Sequence, residues 1–531
     1  IMSNNNPEGF LSLVLHAHLP YVRHPECDYM LEENWFYEAM TECYLPLLAI
    51  FNNLVSDRVP FRITMSLTPT LCSMMSDELL QTRYQARLLK LIELAEKELD
   101  RTKNTEFHST AEMYLERFTL CKRLFENVYD RDITRGFKHL QDLGFLEIIT
   151  CAATHGYLPN MQVNPSAVRA QIITAANSYQ RFFGRNPPGI WLPECGYYPG
   201  VEKFVAEAGI RYFFLETHGI LHSNPQPKYG VYAPVYCQGT NVAAFGRDVE
   251  SSKSVWSAHE GYPGHPSYRE FYRDIGFDLE MDYIAPYIDP IGMRTNTSIK
   301  YHKVTGNNCE KQPYNRQEGM KIAAEHAGNF MFNRQKQTEH LRSIMDRPPI
   351  IMAPYDAELF GHWWYEGPEW LNFLIRKIAF EQNTIRLITP SDYLELFPSN
   401  QAVQPAFSSW GQGGYSEVWL HECNSWIYRH LHRMEERMTE CAMRFPEADQ
   451  NVRRVLNQMA RELLLAESSD WAFIMKTGTM VQYAERRTKE HIANFLRLYD
   501  DLQNNRFDID YISLLESHNN IFPEIDYRVY S

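Results

Sequence analysis

Four carboxylates close short apolar runs in this sequence: Glu194, Glu216, Asp248 and Asp356. A pair of carboxyls supports a specific chemistry. One attacks an anomeric carbon while the other donates, then takes back, a proton; in a retaining glycosidase the two stand roughly 5–5.5 Å apart. Two of the four have distinctive surroundings. Trp191-Leu192-Pro193-Glu194-Cys195-Gly196-Tyr197 sets a carboxylate in a turn tightened by Pro193 and Gly196. Ala353-Pro354-Tyr355-Asp356 runs on into Ala357-Glu358-Leu359-Phe360-Gly361-His362-Trp363-Trp364, which surrounds a carboxyl with rings. An apolar wall raises a carboxyl's pKa, as a general acid requires. These contexts favour Glu194 and Asp356, while the pattern by itself leaves the choice of pair among the four open. Carboxylates at strand ends also cap helices and anchor loops, and Trp363 and Trp364 suit plain core packing equally well.

Histidines end two of the apolar runs, as His16-Ala17-His18 and as Thr154-His155. The first pair looks metal-like, but no nearby Cys or carboxylate motif accompanies it. Strand alternation is also read as keeping the two rings from one ion. Hydrogen bonding to sugar hydroxyls is the preferred role, a buried and satisfied histidine the bland one. Neither a metal nor an organic cofactor is expected.

Seven β-rich runs position these groups: residues 10–15, 61–67, 146–153, 189–192, 211–215, 242–245 and 349–353. Helical patterns lie between many of them, as at 168–183 and 201–208. Strands alternating with helices imply a parallel sheet, and chemistry at each strand's carboxyl end implies a TIM-like barrel. An open doubly wound sheet would call for a Gly-rich phosphate loop, and the sequence has neither GxGxxG nor a Walker pattern. The expected organisation is a catalytic barrel over 9–404 with a helical insertion at about 76–143 and long loops at about 261–333. A C-terminal α-helical domain follows over 405–531, with apolar stripes such as Ile427, Leu431, Met434, Met438 and Cys441.

Totals narrow the class of partner. Across 531 residues the net charge is −14 without a long Lys/Arg run, which argues against nucleic acid. Aromatic residues make up 13%, enough for both a ring-rich core and sugar-stacking platforms. Ten scattered cysteines without a CxxC pair point to reduced thiols in a cytoplasmic protein. No apolar stretch is long enough to span a membrane, and the run at 10–15 is too short for a signal peptide.

Taken together, the contexts resemble glycoside hydrolase family 57. The matching stretches are His16-Ala17-His18-Leu19-Pro20-Tyr21, Thr154-His155-Gly156-Tyr157-Leu158-Pro159, Trp191 to Tyr197, Ala353 to Trp364, and Ser468-Ser469-Asp470-Trp471. The resemblance runs from near residue 9 to near residue 500. Within the family the sequence is most similar to the 1,4-alpha-glucan branching enzymes, through 13–26, 245–256 and 408–419. That resemblance implies an incomplete (β/α)7 barrel, a helical insertion and a helical C-terminal domain. It also implies a glutamate nucleophile on the fourth strand and an aspartate acid/base on the seventh, which map onto Glu194 and Asp356. The substrate would be an α-1,4-glucan, with His16, His18, His155, Arg247 and Asp470 as further candidate contacts. Trp256, Trp410, Trp419 and Trp471 are candidate sugar platforms. The family's mobile loop, whose tyrosine favours transfer over hydrolysis, would correspond to 222–238 with Tyr229, Tyr232 and Tyr236. An α-amylase or 4-alpha-glucanotransferase would share the chemistry. A metal-dependent deacetylase, using His16 and His18 with Asp248 or His155, and a non-catalytic glucan-binding protein are the more distant alternatives.

Overall fold

The strand pattern becomes a curled, largely parallel sheet in a computed structural model that describes residues 6–257, 260–306 and 309–531. Its strands are β1 (Gly9–Ala17), β2 (Ile63–Leu67), β3 (Leu146–Cys151), β4 (Gly189–Trp191), β5 (Tyr212–Leu215), β6 (Val235–Cys237), β7 (Ala243–Gly246), β8 (Ile350–Asp356), β9 (Ile385–Leu387) and β10 (Ala402–Val403). The spatial order is β10-β6-β7-β5-β4-β3-β2-β1-β8, with β9 beside β1. The seven strands β8-β1-β2-β3-β4-β5-β7 pair in parallel and correspond to the seven apolar runs. Strands buried on both faces read as continuous apolar runs, and every residue of β1, β2 and β3 is buried. Strands β6, β9 and β10 were not expected; at two or three residues each they are too short to show a period.

The barrel is incomplete, because β7 and β8 lie at opposite ends of the parallel series. Two backbone bonds stitch the seam, Asp248 N–H to Met352 O at 2.9 Å and Ile350 N–H to Tyr232 O at 3.0 Å. The segment 222–238, which carries Tyr232, fills that gap.

Helices Glu78–Thr102, His108–Arg123 and Thr134–Asp142 form the insertion between β2 and β3. The long loops expected over 261–333 end earlier, because Arg316–Ile344 is a helix of 29 residues. Its buried face is built largely from Gly319, Ala323, Ala327 and Thr338, whose small or polar side chains leave little hydrophobic period to detect. The Asn315 side chain caps it by accepting from Glu318 N–H at 3.0 Å.

Beyond the barrel, helices Tyr428–Arg444, Gln450–Ala466, Ser469–Thr477, Val481–Gln503 and Ile509–His518 bury the apolar stripes anticipated for them. All ten cysteines are unpaired. Among the described residues no helix is long and apolar enough to cross a membrane.

Candidate active site

Of the four strand-end carboxylates, two are committed to local structure. Glu216 and Asp248 cap the helices that follow them, accepting from Thr217 N–H and Ser251 N–H. Glu194 and Asp356 make no such cap. Pro193 follows the end of β4 and turns the chain so that Glu194 and Cys195 take left-handed backbone angles, φ 61° and 49°. His155 does the same at the end of β3, φ 60°. Left-handed non-glycine residues are strained and gather where geometry is over-determined. Gly196 has to be glycine here, since a Cβ would sit 2.6 Å from the Tyr157 ring.

Glu194 is held on both oxygens. Oε2 accepts from the Trp410 indole N–H at 2.6 Å and Oε1 from the Ser469 hydroxyl at 2.9 Å. Trp410 N–H also donates to the Glu194 carbonyl at 2.9 Å. Behind Ser469 a polar chain runs through the barrel: Ser469 Oγ to His155 Nδ1 at 2.7 Å, His155 Nε2 to His16 Nε2 at 3.1 Å, and His16 Nδ1 to Ser66 Oγ at 3.1 Å. Burial above all, with the neighbouring histidines, pushes both rings well below their ordinary pKa, so each is neutral and carries one proton. With Glu194 ionised this fixes the direction of every bond. Ser66 donates to His16, His16 to His155, His155 to Ser469, and Ser469 to the carboxylate. Aligned donors polarise one another, so the series strengthens the last bond. The His16 ring also stacks on Trp191 at 4.6 Å between centroids.

Asp356 ends β8 and is in register with His16 of β1. Burial raises its carboxyl to about 6, against the pull of Arg247 and His18. Burial raises Glu194 further, to about 8, opposed by the bonds from Trp410 and Ser469 and reinforced by Asp470 and Asp356. The two carboxyls influence each other, so these values belong to the pair. Between about 6 and about 8 the pair holds one proton, which these values leave on Glu194, so an attack by Glu194 requires that proton to pass to Asp356. Arg247 is paired with Glu216 at 2.9 Å and lies 5.9 Å from the Trp410 ring centre. His18 donates to Asp470 at 2.9 Å; burial would raise Asp470, but this contact holds it down to about 2. Glu358 ties the ends of β8 and β1 together, accepting from His18 N–H at 3.2 Å and from Tyr44 at 2.5 Å.

With this geometry in view, comparison with known proteins gives a consistent result. Residues 12–405 match the family description of glycosyl hydrolase family 57. The chain belongs to that family. Residues 430–530 match the C-terminal region of 1,4-alpha-glucan branching enzymes. A 1,4-alpha-glucan branching enzyme, TK1436 of Thermococcus kodakarensis, is 34% identical over 98% of this chain and 78% of its own length. Its crystal structure superposes with a TM-score of 0.88, at 32% identity over 98% of this chain and 96% of that one. The α-amylase AmyC of Thermotoga maritima superposes with a TM-score of 0.92, at 47% identity over 98% of this chain and 99% of that one.

Within this family 57 site, the structure gathers Glu194, Asp356, His16, His18, His155, Arg247, Trp410 and Asp470, and it redistributes the rest. Trp410 is a donor to Glu194 as well as an aromatic wall. Trp419 and Trp471 are buried and cannot offer a face to a sugar: Trp419 stacks on Tyr157 at 4.9 Å, and Trp471 donates to Leu465 O at 2.9 Å. Trp256 is exposed at the end of its helix, outside the bonded cluster around Glu194. The expectation of a tyrosine-tipped loop over the cleft is corrected. Tyr229 is bonded to Asp346, ahead of β8, and Tyr236 donates to Pro398 O at 3.0 Å. Tyr232 donates to Asp248 in the seam at 3.2 Å. Residues 346–347 precede the amino end of β8, opposite the catalytic end, so the segment braces the barrel rather than covering the site.

The reading of His16 and His18 also needs correction. Residues two apart share a face of a strand, and both rings point into the site. The carboxylate lacking nearby in sequence arrives as Asp470, so the ligand atoms of His18, His155 and Asp470 come within 4.8 Å of one another, as do those of His16, Cys151 and His155. However, the His18 and His155 rings stack face to face, 3.8 Å apart and 10° from parallel. In-plane lone pairs of stacked rings run side by side, whereas zinc needs them to converge at roughly 2.0–2.1 Å. Asp248, the other ligand of a deacetylase-type set, is held instead by Ser251 N–H at 2.8 Å and Gln337 at 2.8 Å. Ser469, Ser66 and Glu358 were not anticipated. For Ser469 a signal existed, since it adjoins Asp470 in the Ser468–Trp471 stretch.

Proposed function

We propose that this family 57 protein is a retaining 1,4-alpha-glucan branching enzyme with Glu194 as nucleophile and Asp356 as acid/base. The observation that carries the assignment is the clamp on Glu194: two donors, one on each oxygen, hold the carboxylate oriented within electrostatic reach of a second, half-buried carboxyl, Asp356. Glu194 attacks C1 of an α-1,4-linked glucose as Asp356 protonates the departing 4-oxygen. A glucosyl ester of inverted configuration forms, and the released segment leaves with the proton. Asp356, now a carboxylate, takes the proton of an acceptor 6-hydroxyl as that oxygen attacks C1, which restores the α configuration and frees Glu194. His18, Asp470 and Arg247 supply polar contacts suited to the hydroxyls of the sugar at this point. The branching reading is supported by the match of residues 430–530 and by TK1436. We place the reaction in cytoplasmic synthesis of a glycogen-like polymer.

One observation favours hydrolysis as a substantial second outcome. Tyr229 and Tyr236 are anchored away from the cleft, leaving no tyrosine of 222–238 over the nucleophile to obstruct water. The similarity to AmyC points the same way. The test is incubation with amylose, followed by counting new α-1,6 linkages and new reducing ends. Branches that survive exhaustive chelation are expected. Reducing ends alone would make the protein an amylase, and zinc-dependent activity would return it to the deacetylase class.

A further inference from the structure

The sequence suits Trp363 and Trp364 equally to core packing, and the structure separates the two. Trp364 is fully buried, whereas Trp363 is 51% exposed. An exposed indole is ordinary when it stands alone; this one is built in. One face lies on Phe271 with centroids 4.2 Å apart and planes 26° from parallel. Phe271 is itself fixed by Lys300, whose Nζ donates to its carbonyl at 2.5 Å and lies 4.2 Å from its ring centre. The adjoining His362 is bonded to buried Glu42 at 2.6 Å, and its carbonyl accepts from Arg269 at 3.1 Å. Three separate stretches of chain, a helical segment between β1 and β2, the connection between β7 and β8 and the turn after β8, thus hold one indole in place.

Its position follows from topology. Contacts at the carboxyl ends of β1 and β8 place the platform on the catalytic face: Tyr44, two residues from Glu42, donates to Glu358, and Glu358 also accepts from His18 N–H just past β1. Trp363 lies in the turn that begins at Asp356, and its N–H donates to Glu358 O at 3.3 Å. In a double displacement one carboxyl protonates the departing oxygen and then activates the incoming one. Both the departing segment and the acceptor therefore have to pass along the side of the cleft that Asp356 occupies. A fixed ring there meets the apolar face of a glucose unit, the contact by which flat rings bind pyranoses.

We infer that the Trp363–Phe271 pair is a stacking subsite for an α-glucan chain on the leaving-group and acceptor side of the cleavage point. The inference rests on the branching reading for the identity of the acceptor, but not for the binding itself. The test therefore uses two readouts. In a Glu194→Gln background, where no turnover occurs, titration with maltoheptaose by calorimetry should show Trp363→Ala weakening binding roughly fivefold to tenfold. Trp363→Phe should recover most of the affinity. In the active enzyme, Trp363→Ala should raise KM for amylose by a similar factor and change kcat less. Affinity and KM unchanged in a Trp363→Ala protein of unaltered Tm would overturn the subsite. If Trp363→Ala does not fold, Trp363→Leu keeps the apolar volume without the flat face, and unchanged binding in that variant has the same consequence. Absence of α-1,6 products from the wild type, with the maltoheptaose effect intact, would overturn branching and leave the subsite standing.

Discussion

The two walls of the catalytic cleft are built on different plans. The Asp356 wall is mostly local: one stretch from Ala353 to Trp364 supplies the strand, the carboxyl, the Glu358 brace and the exposed ring. The Glu194 wall is assembled from afar. Its two donors come from positions 216 and 275 residues later in the chain, and the series behind them returns to β1 and β2. A wall of this second kind makes the orientation of Glu194, the proposed nucleophile, depend on docking of the C-terminal helices through Ser469. Asp356, the proposed acid/base, is not tied to them in this way.

The sharpest way to break this contrast is at the nucleophile. Glu194→Gln should lower turnover by several orders of magnitude with the fold intact; activity within about tenfold of wild type would remove Glu194 from the reaction. The next largest effect is expected at Ser469. A hydrogen bond to a charged group is worth ~1.5–3 kcal/mol, so Ser469→Ala should lower kcat/KM roughly tenfold to a hundredfold. Ser66→Ala, at the far end of the series, removes a neutral bond and should cost less. Equal rates in wild type and Ser469→Ala would show that the clamp is not needed for orientation.

The pH profile tests the pair rather than either wall. In the proposed reaction the active form carries one proton on the two carboxyls. Below about 6 both become protonated and the nucleophile is lost; above about 8 both ionise and the acid is lost. A bell-shaped kcat/KM with its maximum between those values is expected. Rates that keep rising above about 8 would contradict a need for the shared proton.

A subtler effect is expected where the C-terminal helices meet the barrel. Glu435 accepts from Asn164 at 2.5 Å and Glu467 from Gln171 at 2.8 Å, both on the barrel side. Burial raises Glu435 to about 8 and Glu467 well above the usual carboxyl range, each reinforced by an acidic neighbour. Raised folded-state pKa values mean that the folded protein binds more protons than the unfolded chain. Stability should therefore fall as pH rises from the ordinary glutamate value, about 4.3, through about 8. Melting curves at pH 5.5 and 8 should show a drop in Tm that shrinks when both are changed to Gln. An equal drop in the double variant would place the sensitivity elsewhere. The smallest effect should come from Tyr229→Ala and Tyr236→Ala, which are expected to leave the ratio of branches to reducing ends unchanged; a shift toward hydrolysis in either would bring 222–238 back to the site.

The contrast between the walls also explains which parts of the site could be read along the chain. Asp356 and Glu194 were legible as two of four carboxylates that follow apolar runs, since a parallel barrel gathers strand ends at one mouth; their choice over Glu216 and Asp248 rested on local context and on the family resemblance. Trp410 and Asp470 were legible only as members of family motifs, and the role foreseen for Trp410 was incomplete. The three tyrosines of 222–238 were misplaced because composition shows a ring-rich connection but not which end of the barrel it braces. The helix Arg316–Ile344 escaped notice because alanine, glycine and threonine on its buried face leave a faint period.

By itself the sequence determined the seven parallel strands, the helical insertion, the C-terminal stripes and the two carboxyls at strand ends. Each is a local pattern of apolar spacing, which the backbone's own period converts into an element and a direction. Tertiary structure alone decided what each carboxyl touches. It brought Ser469 to Glu194 and Asp470 to His18, joined Ser66, His16, His155 and Ser469 in one polar chain behind Glu194, buried Trp364 and left Trp363 exposed. These outcomes turn on contacts between side chains hundreds of residues apart, and such contacts exist only once the helices have docked and the barrel has curled.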